Sequence, residues 1–366
     1  MTTPSSHPGA DVLVIGAGLI GLACAAAAAE RGLSVLVVGH ERKGQASLAA
    51  AGILAPSIER AAASADAFGI AARDRYPAYI EWLAERCGIS VALNRDGIIQ
   101  VAVTEGGVRG LRRALSPEAT WLDAPELHAL EPGLKHGLGG VFHEHDGAVD
   151  NVQLYEALYA VVRADRRITM VNDAVTEMAF TNSAQATGQH GSVYCADRAV
   201  VAAGAWSNTI RGLPRAIPVE PVRGQMIAYP GRPLSRVVYG PTGYTVPRST
   251  GRTLVGATTE HVGFDSVTTP EGIERLRRTA AEILPELADL EPSESWSGLR
   301  PMSTDLHPVL GVDPDEPRLI YATGHSRNGV LMTPLTGDCI AALLCGDALP
   351  VDIEAFSIAR FAGRED

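Results

Sequence analysis

Three glycines near the start of the chain have the spacing of a phosphate-binding loop. Gly16, Gly18 and Gly21 form a Gly-x-Gly-x-x-Gly pattern between an apolar run and an alanine-rich run. In this pattern the first glycine allows a tight turn, the second admits backbone close to a pyrophosphate, and the third lets a helix pack on a strand. The N-terminus of that helix offers free N–H groups and a positive dipole end to phosphates. The spacing therefore predicts a dinucleotide-binding loop.

The position that usually binds the adenosine ribose carries no acid. Gly39 stands directly after the second apolar run, where an Asp or Glu usually accepts hydrogen bonds from the ribose hydroxyls. Glu41 could make this contact from two residues further on. Alternatively, His40, Arg42 and Lys43 could bind a 2′-phosphate. The spacing alone therefore leaves both FAD and NADP open as the dinucleotide.

Arg300 is a candidate for contact with a small anionic substrate. It lies in the sequence Gly-Leu-Arg-Pro, where an apolar segment meets a turn. The planar guanidinium suits bidentate contact with a carboxylate, and such a charge-assisted contact contributes roughly 1.5–3 kcal/mol. The alternative is a structural ion pair with one of the 42 Asp and Glu residues.

A short stretch rich in histidine is a second place where chemistry could occur. His143, Glu144, His145 and Asp146 are consecutive. Because neighbouring residues on a strand point to opposite faces, only His143 and His145 could converge on one metal ion. We therefore interpret this stretch as a solvated turn and expect no metal site.

Composition excludes several classes of function. The 366 residues carry a formal charge of −11, which argues against broad binding to nucleic acid or to an anionic membrane. Lys43 and Lys135 are the two lysines, so a lysine Schiff base has almost no candidate residue. The five cysteines are scattered and odd in number, which makes a disulfide framework improbable and favours a reducing compartment. The N-terminus lacks a signal-peptide pattern, and we expect a cytoplasmic protein.

The elements around the glycine loop have a clear order. Asp11–Ile15 is predicted to be a buried strand, Leu19–Arg31 a helix, and Val35–Val38 a second buried strand. This order is a β-α-β unit. The uncharged run Val12–Ala29 is long enough to suggest a membrane helix, but the glycines interrupt it, and we expect no membrane segment.

The remainder of the chain alternates between two patterns. Helical periodicity is predicted over Tyr79–Cys87, Leu154–Ala164, Gly272–Ile283 and Leu335–Leu344, and short buried strands over Ala199–Ala203 and Leu319–Ala322. Between Pro214 and Gly256 short alternating strands indicate an antiparallel sheet. The sequence therefore predicts an α/β protein with a Rossmann-type dinucleotide-binding domain and an inserted, antiparallel β-rich (α+β) domain.

Several longer segments resemble those of the D-amino-acid oxidase superfamily, in its glycine oxidase branch. They run in the family's order and cover nearly the whole chain, from residue 11 to about 345. The segments are the flavin-contacting stretch Gly44–Pro56, the second flavin motif Val201–Ser207, the substrate-domain strand Gly251–Asp265, Trp296–Pro301 followed by Pro308–Gly311, and the C-terminal stretch Ala322–Leu331.

The resemblance implies FAD as the cofactor and assigns residues to it. The FAD-binding domain would comprise residues 1–85, 141–213 and 299–366, and the substrate-binding domain residues 86–140 and 214–298. The implied cofactor-binding residues are Gly16, Gly18, Ile20, Gly21, Glu41, Ser47, Ala50, Ala51, Gly52, Val175, Gly204, Trp206, Arg300, Arg327, Asn328, Gly329, Val330 and Leu331. Some relatives attach flavin to a cysteine just after the position of Arg300. Residues 301–307 contain none, so non-covalent FAD is expected.

The resemblance also implies an activity. Arg300, Tyr244 and Arg327 match the catalytic and substrate-contacting positions, and Thr259 and Met302 would lie at the substrate pocket. The expected reaction is oxidative deamination of glycine, sarcosine or a small D-amino acid, by hydride transfer from Cα to flavin N5. Reoxidation by O2 would give H2O2. Where such an enzyme serves thiamine synthesis, the imine is the useful product. A homo-oligomer is possible.

Three alternatives stand beside this expectation. An FAD dehydrogenase of the same fold would pass its electrons to a quinone or to another protein instead of O2. An NADP-binding reductase would use the basic residues after Gly39. A flavin-binding protein without turnover would hold the cofactor but would not be reduced by any amine.

Overall fold

The computed structural model describes residues 9–58 and 63–362. In chain order its strands are β1 (Ala10–Ile15), β2 (Val35–Val38), β3 (Ile53–Leu54), β4 (Leu93–Asn94), β5 (Ile98–Ala102), β6 (Thr120–Asp123), β7 (Gly139–His143), β8 (Gly147–Val149), β9 (Ile168–Val171), β10 (Val175–Phe180), β11 (Ala184–Gly188), β12 (Val193–Val201), β13 (Val219–Pro230), β14 (Val237–Tyr239), β15 (Tyr244–Arg248), β16 (Arg252–Gly256), β17 (Glu294–Ser303), β18 (Val309–Val312) and β19 (Leu319–Thr323). The helices are α1 (Leu19–Glu30), α2 (Ala46–Ala49), α3 (Ala63–Cys87), α4 (Glu105–Arg113), α5 (Ala124–Leu130), α6 (Asn151–Ala164), α7 (Pro270–Ile283) and α8 (Gly329–Cys345). Short 3₁₀ turns lie at Gly204–Thr209, Pro285–Leu287, Glu354–Phe356 and Ile358–Phe361.

The first sheet has a parallel centre. Strands β9, β2, β1, β12 and β19 lie side by side in that order and run parallel. Strand β18 pairs antiparallel with β19, and the β10–β11 hairpin continues from the first half of β12. The predicted β-α-β unit is confirmed, because β1 and β2 are adjacent parallel strands joined through α1.

The alternation of β1 side chains explains why this sheet is buried on both faces. Val12 and Val14 point into a core formed with α1, α3, α6 and α8. Leu13 and Ile15 point to the opposite core, which contains side chains of β10, β11 and β18. A strand covered on both faces is apolar at every position, and this is why the run was recognisable in the sequence.

The second sheet is mostly antiparallel, as predicted. Its order is β17-β13-β16-β15-β14-β5-β7-β6, and the β14–β5 pair is parallel. One face packs against α7, whereas the other carries Met226, Tyr244 and Val246 towards Ala51 and Ala55. The second sheet therefore presents one apolar face to the segment between α2 and β3.

Two predicted domain boundaries fall inside strands of this second sheet. The boundary at 140/141 lies within β7, and the boundary at 298/299 lies within β17. Strand β7 pairs with β5, and β17 pairs with β13 along ten residue pairs. These partners are distant in the sequence, so local patterns could not show where the two strands end.

The described part of the chain shows no helix with both the length and the apolar character needed to cross a bilayer. The uncharged run Val12–Ala29 is divided between β1, the glycine loop and α1.

The histidine-rich stretch is more buried than predicted. Asp146 is fully buried and accepts hydrogen bonds from Ser57 and from the Arg73 guanidinium, at 3.1 and 2.9 Å. His143 is also buried, and its Nε2 lies 3.0 Å from Oε1 of Gln100. The interpretation as a solvated turn is therefore wrong for these two residues, because the turn packs between β5 and the segment after β3.

Candidate active site

A large cavity lies where the parallel strands of the first sheet end. Its empty volume is about 1670 Å³, including the opening to solvent. Ile15 of β1, Val38 of β2, Ala202 after β12 and Ala322 of β19 all line it. In open α/β sheets, ligands bind in the crevice outside the carboxyl ends of the strands. Residues of β13, β15 and β17 close the cavity from the second sheet.

The glycine loop lies at one end of the cavity. Gly16 has a φ of 115°, and a Cβ on it would lie 2.3 Å from the carbonyl oxygen of Ala202. A Cβ on Gly21 would lie 1.9 Å from the carbonyl oxygen of Gly16. No side chain fits at either position, which is the requirement for close packing of α1 on β1. Gly18 caps α1, and the next N–H, of Leu19, donates to Ser47 Oγ at 3.0 Å.

The segment from Ser47 to Gly52 forms one wall and is held by side chains from the second sheet and from α6. The indole N–H of Trp296 donates to the carbonyl oxygen of Ala49 at 3.0 Å. The amide of Asn151 donates to the carbonyl oxygen of Ser47 at 2.9 Å. Arg248 of the second sheet donates to the carbonyl oxygen of Ala51 at 3.1 Å. Each of these contacts fixes the backbone of the wall and leaves its cavity face open.

Arg300 and Tyr244 line the cavity from the second sheet. Arg300 lies on β17, and its guanidinium donates to the carbonyl oxygen of Thr258 at 3.0 Å. Tyr244 begins β15, is buried, and its hydroxyl lies 3.7 Å from the sulfur of Met226. The arrangement places a cation and a phenol on an otherwise largely apolar surface.

The turn before α8 also lines the cavity. Asn328 caps α8, and Gly329 and Val330 line the cavity from the first turn of that helix. Helix N-termini offer N–H groups and a partial positive charge, so this turn is suited to an anionic group. Arg327 also lines the cavity, and its side chain is exposed.

His325 precedes this turn and is buried. Its Nε2 lies 3.1 Å from the hydroxyl of Thr336. Burial lowers the pKa of His325 to about 3, because the charged imidazolium would lose its hydration. His325 is therefore neutral at ordinary pH, which favours a structural role over a role as a base.

Most of the predicted site residues meet at this one cavity. Those lining it are Gly16, Gly18, Ile20, Ser47, Ala50, Ala51, Gly52, Val175, Gly204, Trp206, Tyr244, Arg300, Arg327, Asn328, Gly329 and Val330. They come from seven separate parts of the chain.

Five predicted residues do not line the cavity. Gly21 lies in α1 and faces Gly16, where its role is packing. Leu331 is buried in the helical core. Met302 is buried on β17, next to the cavity-lining Pro301. The side chains of Glu41 and Thr259 are exposed.

Local geometry explains why the side chains of Glu41 and Thr259 do not line the cavity. His40 and Arg42, on either side of Glu41, line the cavity in its place. Thr258 is buried and its hydroxyl accepts from the backbone N–H of Gln225 at 2.9 Å, so the next residue, Thr259, faces solvent.

Several lining residues were not among the predicted site residues. They are Gly39, His40, Arg42, Gln45, Asp173, Gly224 and Met226. His40 and Arg42 had been considered only for binding a 2′-phosphate. Gly224 and Met226 lie on β13, whose alternation pattern was visible but gave no indication of which face meets the cavity.

The residues present fit FAD. A loop without side chains at Gly16 and Gly18 and two helix N-termini, of α1 and α8, face the cavity. The glycine loop with the N-terminus of α1 suits a pyrophosphate. The N-terminus of α8, with its fixed N–H dipoles, suits the ring of a flavin that becomes negative when reduced.

Comparison with known proteins agrees with this fit. The model of the DAO family, described as FAD dependent oxidoreductase, matches residues 11–343. The chain therefore belongs to this family and is an FAD-dependent oxidoreductase. FAD, and not NADP, is its cofactor.

The chain is similar to several named members. It is 36% identical to the bifunctional protein ThiO/ThiG of Synechocystis sp., over 96% of this chain and 54% of that protein. It is 32% identical to the glycine oxidase of Geobacillus kaustophilus, over 97% of this chain and 98% of that protein. The crystal structure of that glycine oxidase superposes with a TM-score of 0.89, covering 97% of this chain and 99% of the other. The chain spans about half the length of the bifunctional relatives.

Proposed function

We propose that the protein oxidatively deaminates a small amino acid or amine, such as glycine, sarcosine or a small D-amino acid, and transfers the electrons to O2. The observation that supports this proposal is the presence of Arg300 and Tyr244 in the cavity that also contains the glycine loop. Relatives with the name glycine oxidase match over nearly their whole length.

In this proposal Arg300 binds the substrate carboxylate. Its guanidinium is held by the carbonyl oxygen of Thr258, so its direction is set before substrate arrives. Preorganised binding lowers the entropic cost of orienting the reacting carbon, and orientation can contribute several kcal/mol to a rate. Tyr244 supplies a second polar contact, and Met226 beside it makes that wall apolar.

The proposal assigns no general base for the substrate to the protein. His325 is neutral and its Nε2 lies against Thr336, which does not favour it as a general base. We therefore expect the substrate amine to react in its neutral form, and activity to rise with pH as the ammonium group loses its proton.

Bound FAD supplies a two-electron acceptor, whose reoxidation by O2 gives H2O2. The substrate loses a hydride from Cα as its nitrogen lone pair forms the C=N bond of an imine. Water then converts the imine into an oxo acid and ammonia, or into an oxo acid and methylamine when the substrate is sarcosine. We propose that FAD is held without a covalent bond, because residues 301–307 contain no cysteine; acid denaturation should release it.

The test is the visible spectrum of the holoenzyme without oxygen, before and after glycine, sarcosine or D-alanine is added. The proposal requires the flavin band to bleach with at least one of them and to return, with formation of H2O2, when air is admitted. Bleaching without fast recovery in air would indicate a dehydrogenase. A flavin band that no amine bleaches would contradict the proposal.

The matched variants are Arg300→Ala and Arg211→Ala, the second being an exposed arginine paired with Glu177 on the surface. Loss of the carboxylate contact should lower kcat/KM roughly 10- to 100-fold, while the flavin band remains. Arg211→Ala should have no effect. Equal kcat/KM in both variants would show that Arg300 does not bind the substrate.

A further inference from the structure

Arg42 lines the cavity that also contains the glycine loop. It follows β2 and is partly buried. Its Cζ lies 5.0 Å from the ring centre of Trp206, which lines the same cavity. Trp206 in turn stacks on Phe264, which lies between β16 and α7, with ring centres 5.8 Å apart. The guanidinium is thus held over an indole ring that itself stacks on Phe264.

Within the described residues, the Arg42 guanidinium has no carboxylate and no hydrogen-bond acceptor as a partner. Other arginines of similar or greater burial differ in this respect. Arg73 pairs with Asp146, Arg215 with Asp313, Arg223 with Glu260 and Arg360 with Asp305. A desolvated charge without a counter-charge is unfavourable, and burial accordingly lowers the pKa of Arg42. The missing counter-charge must come from elsewhere.

The neighbouring charged groups do not supply it. Glu41 and Lys43 are exposed on either side. Asp173 also lines the cavity, but its carboxylate accepts hydrogen bonds from the hydroxyl of Tyr194 and from the N–H of Ala174, at 2.8 and 2.7 Å. His40 is cationic only when protonated, and burial together with the charge of Arg42 lowers its pKa.

The strand end that carries Arg42 touches the glycine loop directly. A Cβ on Gly39 would lie 2.6 Å from the backbone nitrogen of Ala17, between Gly16 and Gly18. The backbone that leads to Arg42 therefore runs along the loop that suits a pyrophosphate. FAD carries two negative charges at its pyrophosphate, and the residues that line this cavity fit FAD.

We propose that Arg42 binds the pyrophosphate of FAD as its counter-charge, and that Trp206 holds the guanidinium in place. The ligand chemistry at this position is a phosphate diester anion. In this chain Arg42, four residues after the end of β2, therefore contributes to cofactor affinity. Gly39, directly after β2, provides no ribose-binding acid. The proposal concerns cofactor binding and does not depend on which amine is oxidised.

The test measures release of FAD from the holoenzyme. On dilution, free FAD is detected by its fluorescence, which gives a dissociation constant at several NaCl concentrations. ADP, which carries the pyrophosphate, and adenosine, which does not, are added as competitors. Arg42→Met is compared with Arg112→Met, because Arg112 also lies over an indole, that of Trp121 at 4.4 Å, but is absent from the cavity lining.

We expect Arg42→Met to weaken FAD binding about tenfold, to reduce its salt dependence, and to make ADP a poorer competitor while adenosine is unaffected. Arg112→Met should match the wild type. Weaker FAD binding with unchanged salt dependence and unchanged competition by ADP would overturn the proposal, since Arg42 would then act only through its stack on Trp206. Arg42→Lys keeps the charge and should retain most of the salt dependence; if Arg42→Met does not fold, Arg42→Gln replaces it in the same measurement.

Discussion

Gly224 lies directly against the guanidinium of Arg300. A Cβ on Gly224 would lie 2.3 Å from Nη2 and 2.4 Å from Nη1 of that side chain. The two residues are on neighbouring antiparallel strands, where Arg300 pairs with Val222 and Gly224 pairs with Gly298. The Arg300 side chain therefore crosses β13 at the position without a side chain and reaches the carbonyl oxygen of Thr258.

Gly224→Ala should displace the Arg300 guanidinium, because contacts below 3 Å cannot be accommodated without movement. We expect kcat/KM for a carboxylate-bearing substrate to fall roughly 10- to 100-fold, as expected for a misplaced charge-assisted contact. The flavin spectrum and the FAD dissociation constant should remain unchanged. Steady-state kinetics with the oxidisable amine and fluorescence of released FAD measure the two quantities.

Gly110→Ala is the control for this substitution, since nothing lies within 4 Å of a Cβ at Gly110 on α4. It should leave both quantities unchanged. If Gly224→Ala retains full kcat/KM, the position of the Arg300 guanidinium does not limit the reaction.

Structure could be predicted from the sequence where the local backbone geometry requires one particular residue type. The three glycines of the loop and the buried strands could be recognised because spacing and apolar runs follow directly from the turn and the sheet. By contrast, which of Glu41 and Arg42 lines the cavity depends on the path of the chain after β2. That path is set by contacts with the glycine loop and with Trp206, which are not visible in the local pattern.

Helix α8 shows a second limit of prediction from sequence. Its predicted start at Leu335 follows Pro334, but the helix begins at Gly329 and contains this proline. Proline lacks the N–H that would bond to the carbonyl oxygen of Val330 four residues earlier. The hydroxyl of Tyr76, from α3, donates to that oxygen instead. A residue more than 250 positions away therefore completes the helix whose first turn faces the cavity.

Introducing an acid at position 39 should weaken FAD binding. In Gly39→Glu the new Cβ would lie 2.6 Å from the nitrogen and 2.9 Å from the Cβ of Ala17, so the glycine loop would have to move. Overpacking of this kind costs about 1–3 kcal/mol, which corresponds to roughly a 5- to 150-fold larger dissociation constant for FAD. Release of FAD on dilution measures it, with Gly110→Glu as the control. Tighter binding in Gly39→Glu would show that the ribose contact outweighs the steric conflict.

Arg248 should be essential for the stability of the wall formed by residues 47–52. It is buried and donates to the carbonyl oxygens of Val149 and Ala51 and to the side-chain oxygen of Asn151, at 2.8, 3.1 and 2.6 Å. Arg248→Met leaves these acceptors without a donor. We expect the free energy of unfolding to fall by about 3 kcal/mol, measured by denaturant titration of the FAD-saturated protein.

The adjacent strand provides a matched control for Arg248. Arg252 is its cross-strand partner in the β15–β16 pair and forms an exposed ion pair with Glu294. Arg252→Met should lower the free energy of unfolding by less than about 1 kcal/mol. Equal effects of the two substitutions would mean that the three buried hydrogen bonds do not stabilise the fold.

His325 should make the protein less stable in acid. Its pKa is lowered to about 3 in the folded protein, from an ordinary value of 6.5, because burial disfavours the imidazolium. Below pH 6.5 the unfolded chain therefore binds a proton that the folded chain does not, and stability falls as the pH falls towards 3. Between pH 7 and pH 5 this group alone should lower the free energy of unfolding by about 2 kcal/mol. His325→Asn should remove that part of the pH dependence, whereas substitution of the exposed His261 should not. Denaturant titrations of the FAD-saturated proteins at the two pH values measure the difference, and parallel pH dependence in His325→Asn and the wild type would show that His325 is not the group responsible.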